Sequence, residues 1–153
     1  MKYAKAKKIK LENGDILSIN LGNNEYAFAR VLSKLSIGHC IEIFNHIGDN
    51  PNEYLNINYD SRLLQPQIID SHSLFWLGKE GDWDVKDKNK NFIPPENETT
   101  KFEYGDQSNP TLIDIFGNKE EKDSTDDNRY PPYIPKGDIQ IKKIIKFWRA
   151  KKS

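Results

Sequence analysis

Between Lys8 and Leu32, two runs of alternating apolar residues flank a short polar break, Gly22-Asn23-Asn24-Glu25. In the first run Leu17, Ile19 and Leu21 fall on one face, with Ile16, Ser18 and Asn20 on the other. In the second, Ala27, Ala29 and Val31 oppose Tyr26, Phe28, Arg30 and Leu32. A period of two is the mark of a half-buried strand. Glycine and asparagine adopt positive φ at little cost, so the break reads as a hairpin turn. A Gly14-Asp15 turn stands just before the first strand. This hairpin commits the start of the chain to an antiparallel sheet.

The pattern continues with His39–Asn45 as a third strand, joined through the short link Lys34–Gly38 into a meander. Leu55–Tyr59 is expected as a short edge strand. Residues 62–69 contain Pro66, which lacks the N–H that a central strand needs, so they are edge or irregular. Ser73–Leu77 is a dense apolar run that suits a buried strand. Trp83 and Val85 share a face after a Gly81-Asp82 opening, and Thr111–Phe116 is strand-like. Tyr130–Pro135 is stiff and extended. Near the end Ile141, Ile144, Ile145 and Trp148 make one helical stripe, with Asp138 as N-cap. Residues 86–110 and 117–129 are polar excursions. The fold predicted is α+β and β-rich: a bent antiparallel sheet, or an SH3-like partial barrel, with a C-terminal helix, in a single domain over 1–153.

Composition bounds the function. The lone Cys40 leaves no internal disulfide and no zinc-ligand pair. No apolar run reaches the ~18–20 residues of a bilayer span. The basic N-terminus (Lys2, Lys5, Lys7, Lys8) is interrupted by Glu12, Asn13 and Gly14 before any export signal develops. A cytoplasmic protein without membrane contact is expected. The 23 basic and 23 acidic residues cancel but are unevenly spread. Residues 1–10 hold five lysines and no acid, and residues 136–153 hold seven bases and one acid. Residues 96–128 hold ten acids and three bases. Acidic surface of this kind suits a basic partner.

The chain carries few catalytic patterns. There is no nucleophile elbow, Walker loop, dinucleotide fingerprint or His-Glu-x-x-His. His39 and His46 flank a strand and are the one acid–base pair that a ribonuclease would need. His39, Cys40, His46 and Asp49 match no structural zinc spacing. Trp76 and Trp83 with Phe75 and Tyr59 would offer a stacking face. Their neighbours Glu80, Asp82 and Asp84 repel phosphate, so core packing is the better reading. Neither cofactor, metal nor catalytic residue is expected. The remaining functional feature is the acidic loop Glu120, Glu121, Asp123, Asp126, Asp127. Its carboxylates can mimic nucleic-acid phosphate and steer a basic protein inward.

Gly14-Asp15-Ile16, Ile19, Leu21-Gly22 and Tyr26-Ala27-Phe28-Ala29-Arg30-Val31-Leu32 together resemble the opening of the immunity protein 26 family, with Ala29 where that family carries glycine. Ile41-Glu42-Ile43-Phe44 is similar to its third strand, Gly81-Asp82-Trp83-Asp84-Val85 to its Gly-x-Trp element, and Pro94-Pro95 to the proline turn after it. The resemblance runs over about residues 8–145. It implies an intracellular antidote of a polymorphic-toxin or contact-dependent growth-inhibition system, which binds one cognate toxin, a nuclease among the candidates, without chemistry of its own. Asp114, Glu120, Glu121, Asp123, Asp126, Asp127, Tyr130 and Tyr133 are the expected toxin-binding set. Nucleic acid is not the expected partner. A PemK-like ribonuclease, or another SH3-like barrel that binds nucleic acid, is the alternative that shares the Gly-Asp opening.

Overall fold

Asn23 and Asn24 have φ of 54° and 60°, the paired positive values of a type I′ turn, whose twist matches that of the strands it joins. They link β1 (Ile16–Gly22) to β2 (Glu25–Leu35). β3 (Gly38–Ile43) follows after a second two-residue link. In the computed structural model, residues 10–71 and 82–152 are described. The expected strand Ser73–Leu77, with Phe75 and Trp76, lies outside them, as do His72, Glu80, Gly81 and the first four lysines.

Five antiparallel strands form the main sheet, in the order β4-β3-β2-β1-β5, where β4 is Gln67–Ile69 and β5 is Trp83–Asp87. Pro66 directly precedes β4, so its missing N–H falls outside the ladder. Register shifts at Asn20/Gly22, Ile16/Leu17 and Val31/Ser33 bend and twist the strands. Among the described residues β4 and β5 are the edges of this sheet, which does not close into a barrel.

One face of this sheet carries Leu17, Ile19, Ala27, Ala29, Val31, Ile41 and Ile43. They pack in one cluster with Ile141 and Ile145 of the C-terminal helix α1 (Asp138–Lys152). Helical spacing puts both isoleucines on one side, as the sequence predicts. The helix start differs from expectation. Ile141 N–H donates to Gly137 O at 3.1 Å, so Gly137 is the N-cap, and Gln140 Oε1 accepts Gly137 N–H at 3.0 Å. That is half of a capping box. Asp138 is thereby released to accept Trp83 Nε1–H at 2.7 Å, which fastens α1 to β5, and to pair within the helix with Lys142 Nζ at 2.8 Å.

The other face is buried too, against the half-buried expectation. Leu32, Cys40 and Ile68 pack with Phe102 and Ile113 of a second sheet and with Ile115 in the turn after its middle strand. That sheet has the order β6-β7-β8, with β6 Lys101–Tyr104, β7 Thr111–Asp114 and β8 Lys119–Glu121. β6 and β8 lie within the two polar excursions. Phe28 and Phe44 pack with Ile57 beneath residues 45–61. The strand expected at Leu55–Tyr59 is absent, and a 3-10 turn occupies Glu53–Asn56. Local bonds win there: the Glu53 carboxylate accepts Asp49 N–H at 2.5 Å and Asn50 N–H at 3.1 Å, and Tyr59 Oη–H donates to Tyr54 O.

The Gly14-Asp15 turn is tied to β2. Gly14 N–H donates to Val31 O at 2.7 Å, and Val31 N–H donates to Asp15 O at 2.9 Å. The buried Asp15 carboxylate accepts Glu12 N–H at 2.9 Å and pairs with Lys88 Nζ at 3.0 Å.

Candidate partner interface

β8 is an edge strand with all three residues exposed. The opposite edge, β6, is covered: Glu103 N–H donates to Pro131 O at 2.9 Å, and Tyr133 N–H donates to Glu103 O at 3.0 Å. Glu120 projects from β8 and pairs with Lys101, while Glu121 stands opposite Thr111. The loop after β8 folds into turns closed by its own acids. Asp123 accepts Thr125 N–H and Oγ1–H, each at 2.9 Å. Asp126 accepts Asn128 N–H at 2.9 Å and Tyr130 Oη–H at 2.6 Å. These bonds hold the Asp123 and Asp126 carboxyls below the usual range, and the Asp126 bond raises the Tyr130 hydroxyl. Both carboxylates are therefore charged at neutral pH. Asp127 is exposed on the same loop.

Two members of the expected set do other work. Asp114 ends β7 and closes the β7–β8 turn: its Oδ1 accepts Phe116 N–H and Asn118 N–H, each at 2.9 Å. Tyr133 is half-buried, its ring 5.3 Å from Tyr104 and its hydroxyl 3.0 Å from Ser36 Oγ. Glu120, Glu121, Asp123, Asp126, Asp127 and Tyr130 thus lie on β8 and the loop after it, an acidic strip of chain, while Asp114 and Tyr133 make contacts within the framework.

A second arrangement was not legible as a site. On the sheet face opposite α1, the buried Glu42 carboxylate takes Arg30 Nε–H at 2.8 Å on one oxygen and Arg62 Nε–H at 3.0 Å on the other. Arg62 continues to Glu98 through both terminal nitrogens, one at 3.1 Å. Burial would raise the Glu98 carboxyl, but the bonds from Arg62 and Thr100 outweigh it and keep the group low. The Arg30 guanidinium lies 4.3 Å from the Phe92 ring centre and 5.4 Å from that of Tyr59. A cleft of about 620 Å³ opens over this network. Arg30 and Glu42 are cross-strand partners, so the hairpin register alone would have paired them. Arg62 and Glu98 come from loops and had no such signal.

Among the described residues the other chemistry-bearing side chains do not converge. His39 Nδ1 lies 2.7 Å from Ser71 Oγ near one end of β3, and His46 Nε2 lies 3.2 Å from Glu53 beyond the other. Burial lowers the His39 pKa. Cys40 is enclosed, and burial pushes its thiol up to about 12. Among the described residues no three His, Cys, Asp or Glu side chains are placed to hold a metal ion. Trp83 is core, 4% exposed, and Tyr59 packs on Phe44.

The family model described as Immunity protein 26 matches residues 12–112. The chain belongs to the immunity protein 26 family. The matched span contains the Gly14-Asp15 turn, the hairpin, Trp83 and all four members of the Arg30–Glu42–Arg62–Glu98 network. It ends within β7, so the acidic strip and α1 lie beyond it. No curated protein and no solved structure is matched by the chain. Membership assigns an immunity role, and with it a cognate toxin as partner.

Proposed function

We propose that this protein is a cytoplasmic antidote that binds one cognate toxin and covers its active site, as a non-catalytic inhibitor. The observation that carries the reading is the immunity-family match across residues 12–112. The docking surface in this reading is β8 and the loop after it. Glu120, Glu121 and Asp127 are exposed there, and Asp126 and Tyr130 are fixed to each other. Carboxylates on a held loop attract a basic protein surface and lose little freedom on docking. A nuclease fits that description, because a site that binds phosphate is basic. Delivery of the toxin by contact-dependent inhibition belongs to the same proposal.

Co-expression with the toxin encoded beside this gene tests the reading. Cells are expected to survive, and the purified pair to elute as a 1:1 complex. Killing that persists while the antidote is made in excess refutes it. For the strip itself, the triple change Glu120→Lys, Glu121→Lys, Asp127→Lys is expected to slow association about tenfold or more and to flatten its salt dependence. Unchanged kinetics remove the strip from the interface.

A further inference from the structure

A groove of about 680 Å³ runs between α1 and the segment leading into β4. Leu64, Ile144 and Trp148 supply its apolar walls, and Trp148 is 37% exposed. Lys136 and Lys152 supply its free charge. The Lys136 ammonium is half-buried, and its hydrogen-bond partner is a neutral group, Gln67 Oε1 at 2.5 Å. Lys152 Nζ reaches a backbone carbonyl, Arg62 O, at 3.1 Å. Arg62 also lines the groove, but its guanidinium is already held by Glu42 and Glu98. Among the described residues no carboxylate lines the groove.

A half-buried ammonium is costly without an anion, because burial disfavours the charged form. Burial does lower the Lys136 pKa, with no charged group offsetting it. The site therefore sets one half-buried ammonium, Lys136, into the trough and one exposed ammonium, Lys152, at its rim, and the partner of each is a neutral oxygen. We infer that the groove receives an extended acidic segment of a protein partner, its apolar side chains against Ile144 and Trp148 and a carboxylate on Lys136. A nucleic-acid strand fits less well: its repeating phosphates need a track of cations, and here the walls are apolar. From the immunity reading the inference takes only that the partner is a protein. No residue of the acidic strip lines the groove, and the two are opposite in charge.

The test is an NMR titration of the intact protein with an N-acetylated hexapeptide alternating leucine and glutamate. A leucine–lysine counterpart and an oligothymidylate serve as comparisons. The acidic peptide is expected to shift the amide signals of Lys136, Ile144 and Trp148, and to bind at least tenfold more tightly than either comparison. Lys136→Met is expected to weaken it severalfold. Lys152→Glu, an exposed change that leaves the core untouched, is expected to do the same with the rest of the spectrum preserved. Equal binding of the two peptides, shifts centred elsewhere, tighter binding of the oligothymidylate, or full affinity in Lys152→Glu would each overturn the inference. Because no toxin enters the measurement, its failure is distinct from a failure of protection.

Discussion

Removing the Glu42 carboxylate is the sharpest test of how the sheet face opposite α1 is held together. Glu42 is 3% exposed and bonds one arginine through each oxygen. Breaking a buried ion pair by deleting one partner costs ~3–5 kcal/mol, because the remaining charge is left uncompensated. Two features reduce that figure. Arg62 keeps Glu98, and the Arg30 and Arg62 side chains are 20% and 28% exposed, so water reaches both. Glu42→Ala is therefore expected to cost about 3 kcal/mol, at the low end of the range for a buried pair. With a urea dependence of about 2 kcal/mol per molar, the unfolding midpoint falls by about 1.5 M. The assay is urea denaturation followed by circular dichroism, run as a cycle with Arg62→Met. A coupling energy above ~1 kcal/mol is expected for residues in one network. A loss under about 1 kcal/mol for Glu42→Ala, or additive single changes, would show that solvent had already neutralised the network.

Other outcomes follow from the same geometry. Gly14→Ala places a Cβ 2.5 Å from Asn89 O and 2.6 Å from Phe92 Cβ, at φ +91°. Backbone strain and overpacking together should cost about 3 kcal/mol in urea unfolding, and a loss below about 1 would refute the close approach. Asp138→Ala leaves Trp83 Nε1–H without this acceptor and should lower stability by about 1–2 kcal/mol, with a changed Trp83 indole signal. Cys40 should resist a disulfide reagent at pH 8 in the folded protein and react at once in denaturant, since its thiol sits at about 12. Glu53, held at about 2 by Asp49 N–H, Asn50 N–H and His46, has a folded pKa below its unfolded value of 4.5. Its contribution is present above pH 4.5 and fades as pH falls through about 2, which an NMR titration of the Glu53 carboxyl reads directly.

Elements whose burial follows a simple period were legible. The β1–β2 hairpin, β3, the Trp83–Val85 strand and α1 each repeat apolar residues at the spacing of their own backbone. Elsewhere the period misled. Leu55, Ile57 and Tyr59 alternate as a strand would, yet the Glu53 carboxylate bonds the backbone at Asp49 and Asn50 and turns the chain there. Of the second sheet, β7 was legible as the strand-like run from Thr111, but β6 and β8 were hidden for the opposite reason. Within β6 Phe102 is the buried residue and β8 has none, so no periodic signal exists to read. Of the residues proposed to bind the partner, the acidic strip was visible as charge. The framework roles of Asp114 and Tyr133 were not, because each depends on a backbone brought beside it by folding.

By itself the sequence determined the antiparallel hairpin and the helix stripe, since each rests on residues close together in the chain, and the family, whose match runs over residues 12–112. Turn chemistry at Asn23-Asn24 and the alternation on either side act locally, and they need no distant partner to be recognised. Only the tertiary structure decided that the main sheet is covered on both faces, that Arg30, Glu42, Arg62 and Glu98 form one network, and that Lys136 stands beside α1 with a neutral partner. Those facts depend on residues up to dozens of positions apart meeting in space. Charge in a sequence is a sum, whereas its energy in a fold depends on which groups are buried together and which lose their water.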